Sequence, residues 1–124
     1  MASVELTVHN FRDVIDNNDI VLLDFWASWC GPCQSFAPIF EAASEKNPDI
    51  VFGKVNTEQQ DELAAQFQVR SIPTLAIFRE QILIFAQPGA LPPSALEQLI
   101  QQARALDMNQ VRADIAAQQS GRSG

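Results

Sequence analysis

The sequence predicts an α/β domain with helices on both faces of its sheet, and three observations carry this. The hydrophobic period switches repeatedly between alternation and helical spacing, giving the order βαβαβαββα. Ile20–Trp26 is apolar except for Asp24, and Ile50–Asn56 reads as a second apolar strand; continuous apolar strands belong to sheets covered on both sides. The length, 124 residues, suits one domain with no room for a second, and such a chain buries roughly two-thirds of its unfolded surface.

The elements follow in order. A short strand at Val4–Leu6 leads to Thr7, a helix N-cap candidate, and Val8, Phe11, Val14 and Ile15 then share a helical face. Asn17-Asn18-Asp19 is a turn cluster before the strand Ile20–Trp26. The next helix starts at about Cys30-Gly31-Pro32-Cys33, carries Phe36, Ile39 and Phe40 inward, and is expected to kink at Pro38. Thr57 and Gln60 have capping-box spacing, opening a helix to about Phe67. Thr74–Phe78 and Ile82–Phe85 read as strands. Their link, Arg79-Glu80-Gln81, lacks Gly and Asn, so a longer or irregular hairpin is predicted over a tight primed turn. The last helix of the pattern enters at Pro92-Pro93 with the stripe Leu96, Leu99, Ile100, Ala103 and Leu106.

Beyond Leu106, Asp107–Gln119 runs on without Pro or Gly. Met108, Val111 and Ile115 fall within a sector of about 60° at 100° per residue, which predicts a C-terminal helical extension with its own apolar strip. A frayed surface helix, packing on its own domain, a homodimer contact and a partner-binding arm are all compatible with that strip. Only Gly121–Gly124, with Ser120 before it, looks like a loose end.

Hydrophobic residues make up 47% and charged residues 19%, ordinary globular composition. The formal charge of -7 disfavours a nucleic-acid reader. No apolar run has the length of a membrane helix. The N-terminus lacks the basic start and apolar stretch of a signal peptide, so the cytoplasm is the expected location.

The cysteine count is more informative. The two cysteines, Cys30 and Cys33, stand in Trp29-Cys30-Gly31-Pro32-Cys33. They cannot build a disulfide scaffold, and with the one histidine, His9, they fall short of a four-ligand zinc site. Half of a zinc site shared with another chain remains a reading, as does a structural disulfide, which would constrain little chain. Redox chemistry fits the position better. At a strand-to-helix turn, unsatisfied helix N–H groups and the positive dipole end favour the anionic sulfur of Cys30. Gly31 lets the backbone turn tightly, and Pro32 suits the first helical turn. Cys33 lies about one turn further in, where it should be the more buried sulfur. The order of roles follows: Cys30 attacks a disulfide and Cys33 resolves the mixed disulfide.

The run Asp24-Phe25-Trp26-Ala27-Ser28-Trp29-Cys30-Gly31-Pro32-Cys33 resembles the active-site segment of bacterial thioredoxins. The likeness continues through Ala37-Pro38, Lys54-Val55-Asn56, Val69–Leu75 and Gly89-Ala90, covering roughly residues 3–106. It implies a thioredoxin fold, with a central mixed β-sheet flanked by helices on both faces, as residues 1–106, followed by a 107–124 extension. It implies a protein-disulfide reductase with a redox-active Cys30–Cys33 disulfide, no bound cofactor and no metal. Electrons would come from NADPH through a flavin-containing thioredoxin reductase. That reductase and disulfide-containing protein substrates would be its partners, and a monomer is expected.

The resemblance also assigns supporting residues. Asp24, whose burial in an apolar strand should raise its pKa, would deprotonate Cys33 through water, while a buried Asp satisfied by hydroxyls or water is the structural reading. Lys54 would lie near Asp24 and tune it; from the residues alone, a Lys reaching out to solvent is equally compatible. Ile72-Pro73 should be cis and face the cysteines, the Ile72 backbone pairing with an extended substrate by β-augmentation. Trp29, Gly31, Pro32, Ile72, Pro73 and Gly89 would form the substrate contact surface, whereas Trp26 belongs to the core and His9 to solvent. Gln34 departs from the family, many of whose members carry a lysine there, so one cation near the thiolate is missing. Two rivals remain: a thioredoxin-fold adaptor or holdase-like protein acting through its tail, and an extracytoplasmic oxidase or isomerase.

Overall fold

A computed structural model describes residues 2–122. Five strands, β1 (Val4–Glu5), β2 (Ile20–Trp26), β3 (Val51–Asn56), β4 (Thr74–Arg79) and β5 (Ile82–Pro88), form one sheet in the order β1-β3-β2-β4-β5. The pairs β1·β3 and β3·β2 are parallel, while β2·β4 and β4·β5 are antiparallel, so the sheet is mixed. Five helices, α1 (Phe11–Asn17), α2 (Gly31–Lys46), α3 (Asp61–Gln66), α4 (Pro93–Ala105) and α5 (Met108–Arg122), complete the described residues.

The apolar β2 strand explains the layering. Leu22 joins Phe52, Leu75 and Ile77 beneath Phe36 and Phe40 of α2 and Leu96 and Ile100 of α4. One residue on, Leu23 points the other way, into the layer with Phe25, Val55, Ile15 of α1 and Leu63 of α3. Both faces of β2 are thereby buried, and Asp24 falls on the α2 face because it shares parity with Leu22. α2 runs unbroken past Pro38.

Three local expectations are corrected. Thr7 does not cap α1, which starts at Phe11 after Asn10. Its hydroxyl accepts the His9 N–H at 3.1 Å, and its N–H donates to Asn10 Oδ1 at 2.8 Å, so these side chains build a separate turn. The Thr57/Gln60 capping box does not form either. The Thr57 hydroxyl donates to the Trp26 carbonyl at 3.0 Å, and Gln60 Oε1 accepts the Val8 N–H at 3.0 Å. Both side chains serve tertiary ties, and α3 begins only at Asp61.

The third correction concerns the hairpin. β4 reaches Arg79 and β5 starts at Ile82, leaving the two-residue turn Glu80-Gln81 with both φ positive, at 49° and 69°. That is a tight primed turn without Gly or Asn, accompanied by a register shift near Ile77/Phe78. Contacts outside the hairpin hold it. Glu80 N–H donates to the Asp19 carbonyl at 2.7 Å, and the Glu80 carboxylate pairs with Arg112 as well as with the hairpin's own Arg79.

The extension packs on its own domain. Asp107 caps α5 through the Gln110 N–H at 3.2 Å, Met108 is buried at 4% exposure, and Arg112 bonds Glu80. Val111 and Ile115 are half-buried. The Arg79 guanidinium donates to the carbonyls of Ala103, Arg104 and Leu106 at 2.7, 3.2 and 3.3 Å, closing the C-terminal end of α4. The helix runs to Arg122, past the start of the loose end that composition suggests; Ser123 and Gly124 lie outside the described residues.

Candidate active site

β2 ends at Trp26, and the chain turns through Ala27, Ser28 and Trp29 into Cys30, which is the N-cap of α2 with extended backbone. Cys30 Sγ accepts the Cys33 N–H at 3.2 Å, so the sulfur does what a Ser or Asp oxygen does at other N-caps. Pro32 has no N–H to leave unpaired in that first turn. The two cysteines form a disulfide, with their Cα atoms 5.2 Å apart. Their exposures are 4% for Cys30 and 3% for Cys33, so burial does not rank them. What separates them is position: Cys30 receives the helix N–H, and Cys33 supplies it. Gln34, at the family's lysine position, folds its amide back to the Ser28 carbonyl at 2.8 Å and secures the turn. Glu58 fastens the same loop from the far side, accepting from the Ser28 hydroxyl at 3.1 Å.

The second segment arrives between α3 and β4. Ile72-Pro73 is cis, and Cys30 Sγ lies 3.6 Å from the Ile72 carbonyl oxygen. Pro73 is buried and Ile72 half-buried. Gly89, at φ 110°, donates its N–H to the Pro73 carbonyl at 2.8 Å, which brings the end of β5 alongside; a side chain at that φ would be strained. Trp29, 70% exposed, and the exposed Gly31 and Pro32 surround the disulfide on the solvent side. His9 is exposed.

Asp24 and Lys54 are brought together, as register partners on β2 and β3. Asp24 has 0% exposure, and neither carboxylate oxygen has a hydrogen-bond partner. Lys54 Nζ stands 3.9 Å from Asp24 Oδ2, too long for a firm charge-assisted bond. Desolvation pushes the Asp24 carboxyl up to about 6, against the opposing pull of the Lys54 charge. Cys33, Phe36 and Phe40 follow one another along the inner face of α2, the face packed over Leu22. Asp24 and Cys33 therefore belong to the same side of the sheet. Lys54 does not simply reach out to solvent, since its ammonium also sits 5.1 Å over the Trp26 ring. Trp26 is half-buried, and its assignment to the core misses this contact; its shared parity with Asp24 and Lys54 across β2 and β3 was the available signal.

A CxxC disulfide at the N-cap of a helix, leaving the middle of a mixed sheet and facing a cis-proline segment, defines a thiol–disulfide oxidoreductase. The thioredoxin family profile matches residues 2–102. The thioredoxin 2 of Streptomyces coelicolor is 58% identical over 119 residues, covering 96% of this chain and 89% of its own; the match therefore extends beyond Leu106. Thioredoxin C-3 of Corynebacterium nephridii is 43% identical, covering 82% of this chain and 71% of its own. A thioredoxin variant from Halobacterium salinarum superposes with a TM-score of 0.77 at 33% identity, covering 84% of this chain and 91% of that one. The oxidized mitochondrial thioredoxin 3 of Saccharomyces cerevisiae gives 0.74 at 33% identity, covering 81% and 94%. The chain belongs to the thioredoxin family. It is a protein-disulfide reductase working by dithiol–disulfide exchange. Among the described residues, no helix is long and apolar enough to cross a membrane, and no cluster of His, Cys, Asp and Glu could hold a metal ion.

Proposed function

We propose that Cys30 is the attacking thiolate and Cys33 the resolving thiol. The observation that carries this is the Cys33 N–H bond to Cys30 Sγ at the N-cap of α2. In the reduced protein that donor and the helix dipole favour the anion on Cys30. The thiolate attacks one sulfur of a substrate disulfide, forming a mixed disulfide and releasing the other substrate sulfur as a thiolate. Cys33 then loses its proton to Asp24 and attacks Cys30 Sγ. The Cys30–Cys33 bond forms, the second substrate sulfur leaves, and the substrate has gained two electrons. Lys54 tunes Asp24. An extended substrate segment lies across Trp29, Gly31, Pro32, Ile72, Pro73 and Gly89, hydrogen-bonding to the Ile72 backbone.

The domain acts as a cytoplasmic monomer and binds no cofactor of its own. A flavin-containing thioredoxin reductase returns the pair to the dithiol with electrons from NADPH. The test is NADPH oxidation in a mixture of reductase, this protein and a disulfide-containing protein substrate. Turnover proportional to the added protein is expected, and its absence would sink the electron route.

We place the reductase domain in residues 1–106, with 107–124 as an accessory extension. Deleting Asp107–Gly124 removes the burial of Met108 and the Arg112–Glu80 pair. Thermal unfolding is expected to show a loss of about 1–3 kcal/mol, the scale of one buried apolar side chain. The rate in the coupled assay should not change, because the Arg112–Glu80 pair lies at the opposite end of β4 from Pro73; a collapse in turnover would make the extension part of the enzyme.

A further inference from the structure

Asp24 takes its proton from Cys33 on the side of the domain that a substrate on Trp29, Pro73 and Gly89 covers. A second approach to Asp24 exists. In β1, β3 and β2, register partners place Glu5, Lys54 and Asp24 in one row across the sheet, and partners in register share a face. The row runs from an exposed carboxylate at the sheet edge, through a half-buried ammonium, to a fully buried carboxyl.

Above it opens a cleft of about 400 Å³, lined by Ser3, Glu5, Trp26, Lys54, Asn56 and Gln59 together with Val4. None of these belongs to the substrate contact surface. Lys54 lines the cleft, and its Nζ stands 3.9 Å from Oδ2 of Asp24, which does not line it. Three buried polar atoms without a protein hydrogen-bond partner are gathered here: both Asp24 oxygens and Trp26 Nε1. Polar atoms so buried are ordinarily satisfied by water, and this cleft is polar and roomy enough to supply it.

We propose that this cleft is the active site's proton route to solvent, through which Asp24 exchanges its proton with water past Lys54 while substrate covers the cysteines. The inference rests on the assignment of Asp24 as the base for Cys33. The proton passes to a water or buffer base in the cleft and on to bulk, and Lys54 keeps its charge throughout. Glu5 and Asp24 are the register partners of Lys54, and two further carboxylates are tied to neighbouring segments. β1 offers Glu5 and β2 offers Asp24. α2 offers Glu41, held below the usual carboxylate range by the Ser3 hydroxyl and N–H that bond it. The segment after β3 offers Glu58, engaged by Ser28.

The test opens the cleft and asks what enters. The carboxyl of Asp24, carbon-13 labelled, is titrated by NMR in Lys54→Ala and Lys54→Met. Each is measured with Cys33→Ser, both free and carrying a peptide disulfide-linked to Cys30. Without the lysine charge the midpoint should move above its usual place near 6 by about one pH unit. In Lys54→Ala, ethylammonium should return it saturably, with the peptide in place as well as without it. In Lys54→Met the side chain fills the lysine's place, so the midpoint should rise and stay raised. The proposal is overturned if ethylammonium acts no better than sodium, acts only on the peptide-free protein, or acts equally on Lys54→Met. A midpoint that moves in neither variant removes Lys54 from the tuning of Asp24 and the proposal with it. Unslowed resolution in Asp24→Asn would instead remove the base itself.

Discussion

Cys30→Ser is expected to bring reductase turnover down to the uncatalysed exchange, a loss on the order of 10³-fold or more. Cys33→Ser is expected to fail differently, by accumulating a covalent adduct with the substrate. A serine hydroxyl at position 30 can still accept the Cys33 N–H, so the N-cap and the helix start survive, and only the nucleophile is lost. Cys33, left alone, supplies that N–H instead of receiving one, and has no helix terminus to favour its anion. In Cys33→Ser the reverse holds: Cys30 attacks normally, but no thiol follows to break the mixed disulfide. Mass spectrometry after mixing with a disulfide substrate reads both outcomes. An adduct on Cys30→Ser, or equal adducts on the two variants, would exchange or erase the assigned roles.

The proposal of these roles starts from chain-local facts: which residues lie between the cysteines, and where a strand gives way to a helix. The layering was legible for a similar reason, since Ile20–Trp26 is apolar at every position but Asp24 and can only be a strand covered on both faces. Thr7 and Thr57 misled because their side chains are equally able to bond distant partners, and Trp26 and Val8 lie far from Thr57 and Gln60 in the chain. The hairpin misled for a deeper reason. Two left-handed residues without Gly or Asn are locally unfavourable, and Asp19 and Arg112, from two other places in the chain, join the neighbouring Arg79 to make the turn hold. The apolar strip of α5 left its target open until Met108 and Arg112 showed it packed on its own domain. Trp26 is the same lesson at the site: its ring counts as core until the cross-strand register puts a lysine over it.

Asp24→Asn is expected to do two opposite things at neutral pH: slow the resolving step by roughly 100-fold, the lower end of the range for general bases, and stabilise the fold. The carboxyl is raised from 3.8 to about 6 chiefly by burial. A raised acid binds its proton more tightly in the native state than in the unfolded one. Between these two values the native protein therefore holds the extra proton, and stability falls as pH rises. Above about 6 the full penalty applies, at most about 3 kcal/mol, and below 3.8 it vanishes. The neutral amide escapes the ionisation penalty, so urea unfolding at pH 7 should show the variant about 1–3 kcal/mol more stable. The two proteins should converge near pH 4. Stopped-flow resolution of a preformed mixed disulfide should fall in the wild type as pH drops through about 6, and the variant should lack that inflection. A variant less stable at pH 7 would mean that Asp24 is satisfied in the fold rather than held there at a cost for the chemistry of Cys33.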